Sequence, residues 1–152
     1  MYQTLIFYHS IMRWFVLASL IFAVYKAAKG YFTKSNFTKL DDAVRSWTAT
    51  IAHIQLMIGM TLYFQSPVVK YFMANFKNEI ADPEFRFFSV IHSSLMIIAI
   101  VLITIGSAKA KRDHDDQTKF KTMLLWFSIA LAVILVAIPW PFSPFANRPY
   151  LR

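Results

Sequence analysis

Four stretches of this chain, 5–25, 47–64, 87–105 and 123–138, come close to the unbroken apolar length that a helix needs to cross a bilayer, about 20 residues for a hydrocarbon core of about 30 Å. Inside such a core a backbone can satisfy its polar groups only as a helix or a closed barrel. Composition agrees: 57% of the 152 residues are hydrophobic and 16% are charged, against roughly 25% charged in soluble domains. The expectation is an all-α integral membrane four-helix bundle, up-down-up-down, forming one domain over 1–152, with helices over about 5–26, 44–65, 84–107 and 121–138.

The connections carry their own punctuation. Gly30 is placed to end the first helix, and Thr38 with Asp41 three residues on resembles a capping box opening the second. Ser66 and Pro67 open a short segment in which Val68, Val69, Phe72, Met73 and Phe76 recur at helical spacing. It is expected to lie as a short amphipathic helix in the interface between helices 2 and 3, with Lys70 and Lys77 snorkelling. Asp82 and Pro83 mark a start for helix 3, and the prolines of "IPWPFSP" stop helix 4.

Basic residues in short loops are retained on the cytoplasmic side. Ten of them, Lys26, Lys29, Lys34, Lys39, Arg45, Lys109, Lys111, Arg112, Lys119 and Lys121, lie between helices 1 and 2 or between 3 and 4. Lys70, Lys77, Arg86, Arg148 and Arg152 fall on the other side, so both termini are expected to be external. The net charge of +8 needs no nucleic acid, because basic loops sit favourably against anionic headgroups. No basic residue precedes the first apolar run, so helix 1 is expected to remain in the mature protein. With Cys 0 in the composition, disulfides, thiolate metal sites and covalent haem attachment are excluded.

Against this background the intramembrane polar groups stand out. The first three windows carry His9 with Arg13, His53 with Gln55, and His92, while the fourth has no ionisable residue. His9 precedes Lys26 by 17 positions and His92 precedes Lys109 by 17, which puts each on the order of 25 Å from the cytoplasmic end at about 1.5 Å per residue. The two are therefore level, in the outer half. His53 follows Arg45 by 8 positions and Asp41 by 12, hence roughly 12–18 Å from the cytoplasmic side and closer to the height of Arg13. In an up-down-up-down bundle helices 1 and 3 are diagonal. Level histidines on diagonal helices can bracket one flat ligand, and a haem takes an axial imidazole from each face.

The surroundings admit such a guest. Ser89, Ser93 and Ser94 keep helix 3 slim near His92, while Met57 and Met96 stand one turn beyond His53 and His92 as core filler or as alternative thioether ligands. No Asp or Glu lies in any window, so the counter-charge for Arg13 is expected from a propionate, a bound anion, lipid phosphate or backbone carbonyls. His9 and Arg13, four apart, share a helix face. His114, in "KRDHDDQ", reads as a solvated loop residue.

"HSIMRW" at 9–14, "AHIQLMIGMTLYF" at 52–64, "MIIAIVLITIG" at 96–106 and "IPWPF" at 138–142 together resemble a family of small bacterial four-helix membrane proteins catalogued as cytochrome b-like. The likeness covers nearly the whole chain and departs from the family pattern at Ser93, where a proline is common. It implies an inner-membrane haem protein with His9, His53 and His92 as its polar positions and Arg13 and Gln55 beside them.

The expectation is therefore one non-covalent haem b between His9 and His92, with His53 the substitute ligand and Arg13 neutralising a propionate or a bound quinone anion. The chain would carry single electrons between membrane quinol and a partner protein, alone or as a subunit of a redox complex, more as carrier than as stand-alone enzyme. Two alternatives stay open: a cofactor-free accessory subunit that uses the histidines as inter-helix glue, and a three-histidine copper or zinc site, since imidazole suits those metals as well.

Overall fold

The computed structural model describes residues 1–79 and 81–142. Every regular element within them is helical: α1 (Tyr2–Phe32), α2 (Lys39–Gln65), α3 (Pro67–Ala74), α4 (Phe76–Glu79), α5 (Pro83–Arg86), a π-helical turn over Phe87–Ile91, α6 (His92–Arg112) and α7 (Asp116–Ala137). Arg148 and Arg152, assigned above to the outer side, and the last two residues of "IPWPFSP" lie outside the described residues. α1 packs on α2 and α7, and α6 packs on the same two helices, so α1 and α6 stand on one diagonal of the bundle.

Three segments are long and apolar enough to cross a membrane: α1, the continuous helical run Pro83–Arg112, and α7. The chain is thus a candidate multi-pass membrane protein. α2 is 27 residues long but is not in that set. Its first turns carry Lys39, Asp41, Asp42 and Arg45, and Thr48, Thr50, His53 and Gln55 follow. Much of this polarity turns inward: Asp41, Arg45 and Thr48 are all buried.

All four long helices outrun their apolar windows, because capping residues set the ends. Thr38 accepts from the Asp41 N–H at 3.3 Å while its own N–H donates to the Asp41 carboxylate at 2.9 Å, the reciprocal arrangement read from the sequence. Asp115 caps α7 through the Thr118 N–H at 2.7 Å. The Ser66 hydroxyl accepts from the Val69 N–H at 3.4 Å and Asp82 from the N–H groups of Glu84 and Phe85 at 2.9 and 3.1 Å. The segment opened by Ser66 buries Val69 and Phe72 against the rest of the protein.

Gly30 does not end α1, contrary to expectation. The helix closes two residues later in a Schellman arrangement, with the Ser35 N–H on the Gly30 carbonyl at 3.1 Å, the Lys34 N–H on that of Tyr31 at 3.4 Å, and Lys34 itself at φ 51°. What requires glycine at 30 is space, since a Cβ there would collide with the Phe120 ring. Gly106 likewise admits Trp126 between α6 and α7. Small residues at such seams let backbones approach in a medium that gives no hydrophobic drive, and Ala23, Ala27, Ala52, Ala99 and Ala130 are fully buried.

The end of the bundle that holds the α1–α2 and α6–α7 connections is clasped by side chains. Lys26 on α1 pairs with Asp41 at 2.9 Å. The buried Arg45 guanidinium bonds the Ser107 hydroxyl at 2.6 Å and carbonyl at 3.2 Å on α6 and pairs with Asp42 at 2.8 Å. Burial opposes ionisation of Asp41, but hydrogen bonds from Thr38 and the Lys26 ammonium outweigh it and hold the carboxyl below its ordinary range. A depressed folded-state pKa stabilises above the unfolded pKa and loses that contribution as pH falls through the folded value. Asp41→Ala is expected to cost about 1–2 kcal/mol at neutral pH, in the range of a lost cap. Unfolding in detergent should show the wild-type advantage shrinking toward zero in strong acid.

Candidate functional site

The residues that carry chemistry meet in the half of the bundle away from that clasp. A cavity of about 240 Å³ is lined by His9, Ser10 and Arg13 of α1, Gln55 and Gly59 of α2, His92 and Met96 of α6, and Ile134 of α7, among others. His9 and His92 face one another across the diagonal, with ring centres 6.4 Å apart and planes at 72°. The level heights and diagonal placement read from sequence spacing are what bring them together.

His92 is fixed by the end of α7. Its Nδ1–H donates to the Ala137 carbonyl at 2.8 Å, and since a carbonyl only accepts, the proton sits on Nδ1 and Nε2 keeps its lone pair. That carbonyl is available because of "IPWPF". A residue before proline avoids the helical region, so Pro139 ends α7 at Ala137. With the chain extended at Ile138, no later N–H follows in helical register to take that carbonyl. Pro139, four residues beyond Leu135, has no N–H to offer the Leu135 carbonyl, which takes the Trp140 indole N–H at 2.8 Å. Pro139 thus frees two carbonyls, and a tryptophan and a histidine satisfy them. Trp140 also meets Trp14 with ring centres 6.2 Å apart, closing the seam between α1 and the end of α7.

The π-helical turn Phe87–Ile91 immediately precedes His92. Such a turn inserts one residue into an α-helix and is frequent at functional sites. It buries Phe87 and Ser89, and the Ser89 carbonyl accepts the Tyr63 hydroxyl from α2 at 3.0 Å. Nothing in the sequence reading pointed to this irregularity. The serines that looked like room for a macrocycle divide accordingly: Ser89 is buried in the turn, Ser93 borders the cavity and Ser94 is exposed.

His9 is held by α2. The Gln55 amide donates to the His9 carbonyl at 3.0 Å and lies 3.4 Å from its Nε2. Among the described residues His9 Nδ1 and Gln55 Oε1 are buried without a hydrogen-bond partner, two polar atoms of the kind that a bound polar group satisfies. A Cβ at Gly59 would stand 3.3 Å from His9 Cε1, so glycine leaves the ring its place. Arg13 lines the cavity one turn deeper, its guanidinium 5.3 Å from the centre of the Trp14 ring.

His53 is not part of this group. It is exposed and its Nε2 lies 2.9 Å from the Thr104 hydroxyl on α6. That hydroxyl donates to the Ile100 carbonyl at 2.7 Å, so it accepts the Nε2–H of His53. Met57 is exposed beside it while Met96 lines the cavity. Among the described residues no three His, Cys, Asp or Glu side chains converge to hold a metal ion, and the three imidazoles do not form one ligand set.

Removing the His92 ring strands a carbonyl at a buried helix end, which costs about 1–3 kcal/mol. Removing His53 loses one exposed inter-helix bond and strands no buried group, which costs about 0.5–1 kcal/mol. Unfolding titrations in mixed micelles should rank His92→Leu as more destabilised than His53→Leu. Compared with family models, with curated proteins and with solved structures, the chain has no match in any of the three, so its site is read from its own geometry.

Proposed function

We propose that this is a four-span integral membrane protein that holds one b-type haem non-covalently between His9 and His92 and carries single electrons between membrane quinol and a partner protein. The observation that carries the reading is the pairing of the two imidazoles over one cavity. The ring centres stand 6.4 Å apart, and a haem held there would take one ring nitrogen from each histidine.

The donor set fits the cofactor. His92 is anchored through Nδ1 as metal-bound imidazoles commonly are, which sets the tautomer and raises the basicity of Nε2. His9 brings a ring nitrogen without a partner, and Arg13 brings a cation at the cavity wall. At about 240 Å³ the cavity is below the roughly 300–1,000 Å³ that encloses a drug-sized ligand, and the open side of the bundle supplies the remaining room. A bound haem supplies one-electron chemistry at a potential set by its axial ligands and burial. Apolar walls such as Ile100, Ile134 and Ile138 exclude water, His9 and His92 orient the group, and Arg13 balances an anionic edge. The resemblance to small bacterial cytochrome b-like proteins supports the same reading and an inner-membrane location.

Pyridine haemochrome analysis of the purified protein is expected to give one haem per chain. His9→Ala and His92→Ala should each abolish it and His53→Ala should retain it; loss with His53→Ala alone would overturn the assignment.

A cofactor-free accessory subunit is the second reading, and one observation favours it: each intramembrane histidine position makes a hydrogen bond between helices, through the His9 carbonyl, His53 Nε2 and His92 Nδ1. It is the better account if gently purified protein shows no haem absorbance while His92→Leu still unfolds early.

The reading also fixes an orientation: both termini and α3 outside, the clasped end in the cytoplasm, and α2 the fourth span. Because the chain has no cysteine, single Asn78→Cys and Asn36→Cys variants report it. An impermeant maleimide should label the first in intact cells and the second only after permeabilisation.

A further inference from the structure

A second pocket lies at the clasped end, in the half of the bundle away from the histidine pair. It has a volume of about 200 Å³ and is lined by Lys39 and Asp42 of α2, Lys111 of α6 and Lys119 of α7, with Phe37 and Ala110 as apolar wall. Local packing brings these three helices together there. Gly30 admits the Phe120 ring, Phe120 meets Phe37 with ring centres 5.0 Å apart, and the Lys119 ammonium lies 5.2 Å from the centre of the Phe37 ring. The Gln117 amide donates to the Ser35 carbonyl at 3.0 Å and joins the two connections.

The charge in this pocket does not balance. Three ammonium groups face one carboxylate, and that carboxylate is engaged by the Arg45 guanidinium at 2.8 and 2.9 Å. Lys119 has Asp116 at 3.7 Å; among the described residues Lys39 and Lys111 are in no ion pair. Like charges gathered from three helices repel, and an anion between them relieves the repulsion. The volume is several times the roughly 30 Å³ share of a water molecule, room for a phosphate group.

The position selects the carrier of that phosphate. Positions 39, 43, 46, 50 and 53 follow one face of α2, and 111, 108 and 104 follow one face of α6. The two helices are tied by Arg45 to Ser107 at 2.6 Å and by His53 to Thr104 at 2.9 Å. Ala43, Ser46 and Thr50 are small and exposed, and Ala108 is half-buried, so a furrow walled by small side chains leads from the lysines into the span.

We infer that this pocket holds the phosphate of an anionic phospholipid, with an acyl chain along the α2–α6 furrow. The inference rests on the four-span placement, which puts the clasped end at the cytoplasmic headgroups, and not on the haem. A basic end attracts an anionic leaflet in general; convergence of three lysines on one pocket adds a defined seat for a single lipid. Lys39 and Lys111 flank the entrance of the furrow, and Lys119, laid over Phe37, closes the inner side.

The test is native mass spectrometry of the full-length protein in mild detergent, titrated with dioleoylphosphatidylglycerol, with dioleoylphosphatidylcholine or with inorganic phosphate. One phosphatidylglycerol per chain is expected to be retained in preference to phosphatidylcholine. Lys39→Gln with Lys111→Gln should lower that retention by about tenfold or more, and Lys39→Arg with Lys111→Arg should keep it. Lys29→Gln with Lys34→Gln removes the same charge from exposed positions of the same end and should bind as wild type. Equal retention of the two lipids, or equal loss in the two glutamine pairs, overturns the site. Complete displacement of the lipid by millimolar inorganic phosphate overturns the lipid as occupant. Micelles have no sides, so selective retention beside a reversed maleimide pattern leaves the pocket standing and defeats the orientation alone.

Discussion

A backbone carbonyl at a helix end has no partner within its helix, and where packing keeps water away a side chain must take its place. The hydrogen bond from His92 to Ala137 is how this protein resolves that constraint where α7 stops. The rest of the site follows from it. α7 stops there because Pro139 forbids its continuation, and the carbonyl stays available because no helical turn follows it. The bond ties α6 to α7, sets the proton on Nδ1 and leaves Nε2 with its lone pair on the cavity side of the bundle.

The two halves of the bundle are built differently. At one end Lys26, Asp41, Asp42, Arg45 and Ser107 form a dense set of ion pairs and hydrogen bonds across α1, α2 and α6. At the other, polar groups line a space and two of their atoms lack partners. Satisfied buried networks rigidify, and partly satisfied ones hold free energy that a ligand can release. α2 serves both ends: its inward stripe runs from Asp41 through Arg45 and Thr48 to Gln55, which explains why it is the least apolar of the four long helices.

What the sequence revealed was position along helix axes. Equal spacing of His9 and His92 from the lysines that end their helices was enough to put them at one height, and the caps at Thr38, Ser66 and Asp82 were legible because they are local. Direction around the axis was not. α1, the Pro83–Arg112 run and α7 are apolar on nearly every face, so periodicity gives no inward side, and depth alone could not say that His53 turns out toward Thr104 while Gln55, two residues on, turns in. Arg45 was read as a loop charge, although it is buried under Ser107. Gly30 was taken for a terminator because sequence shows its conformational freedom and not the Phe120 ring that needs its missing Cβ. The prolines of "IPWPF" were read as stops; that Pro139 also releases the Leu135 carbonyl four residues earlier follows from spacing alone and could have been found there.

The five residues from Phe87 to Ile91 make a swivel of known pitch. Each residue of an α-helix advances about 100° around its axis, so one residue more or fewer in that stretch would rotate everything before it against everything after it. α5 leads into the swivel, the Tyr63 tie is made to Ser89 within it, and the imidazole follows directly after it. Insertions or deletions there would leave the hydropathy profile of this chain almost unchanged while turning the short helices α3 and α5 out of register with the cavity, a change that sequence comparison by composition would pass over.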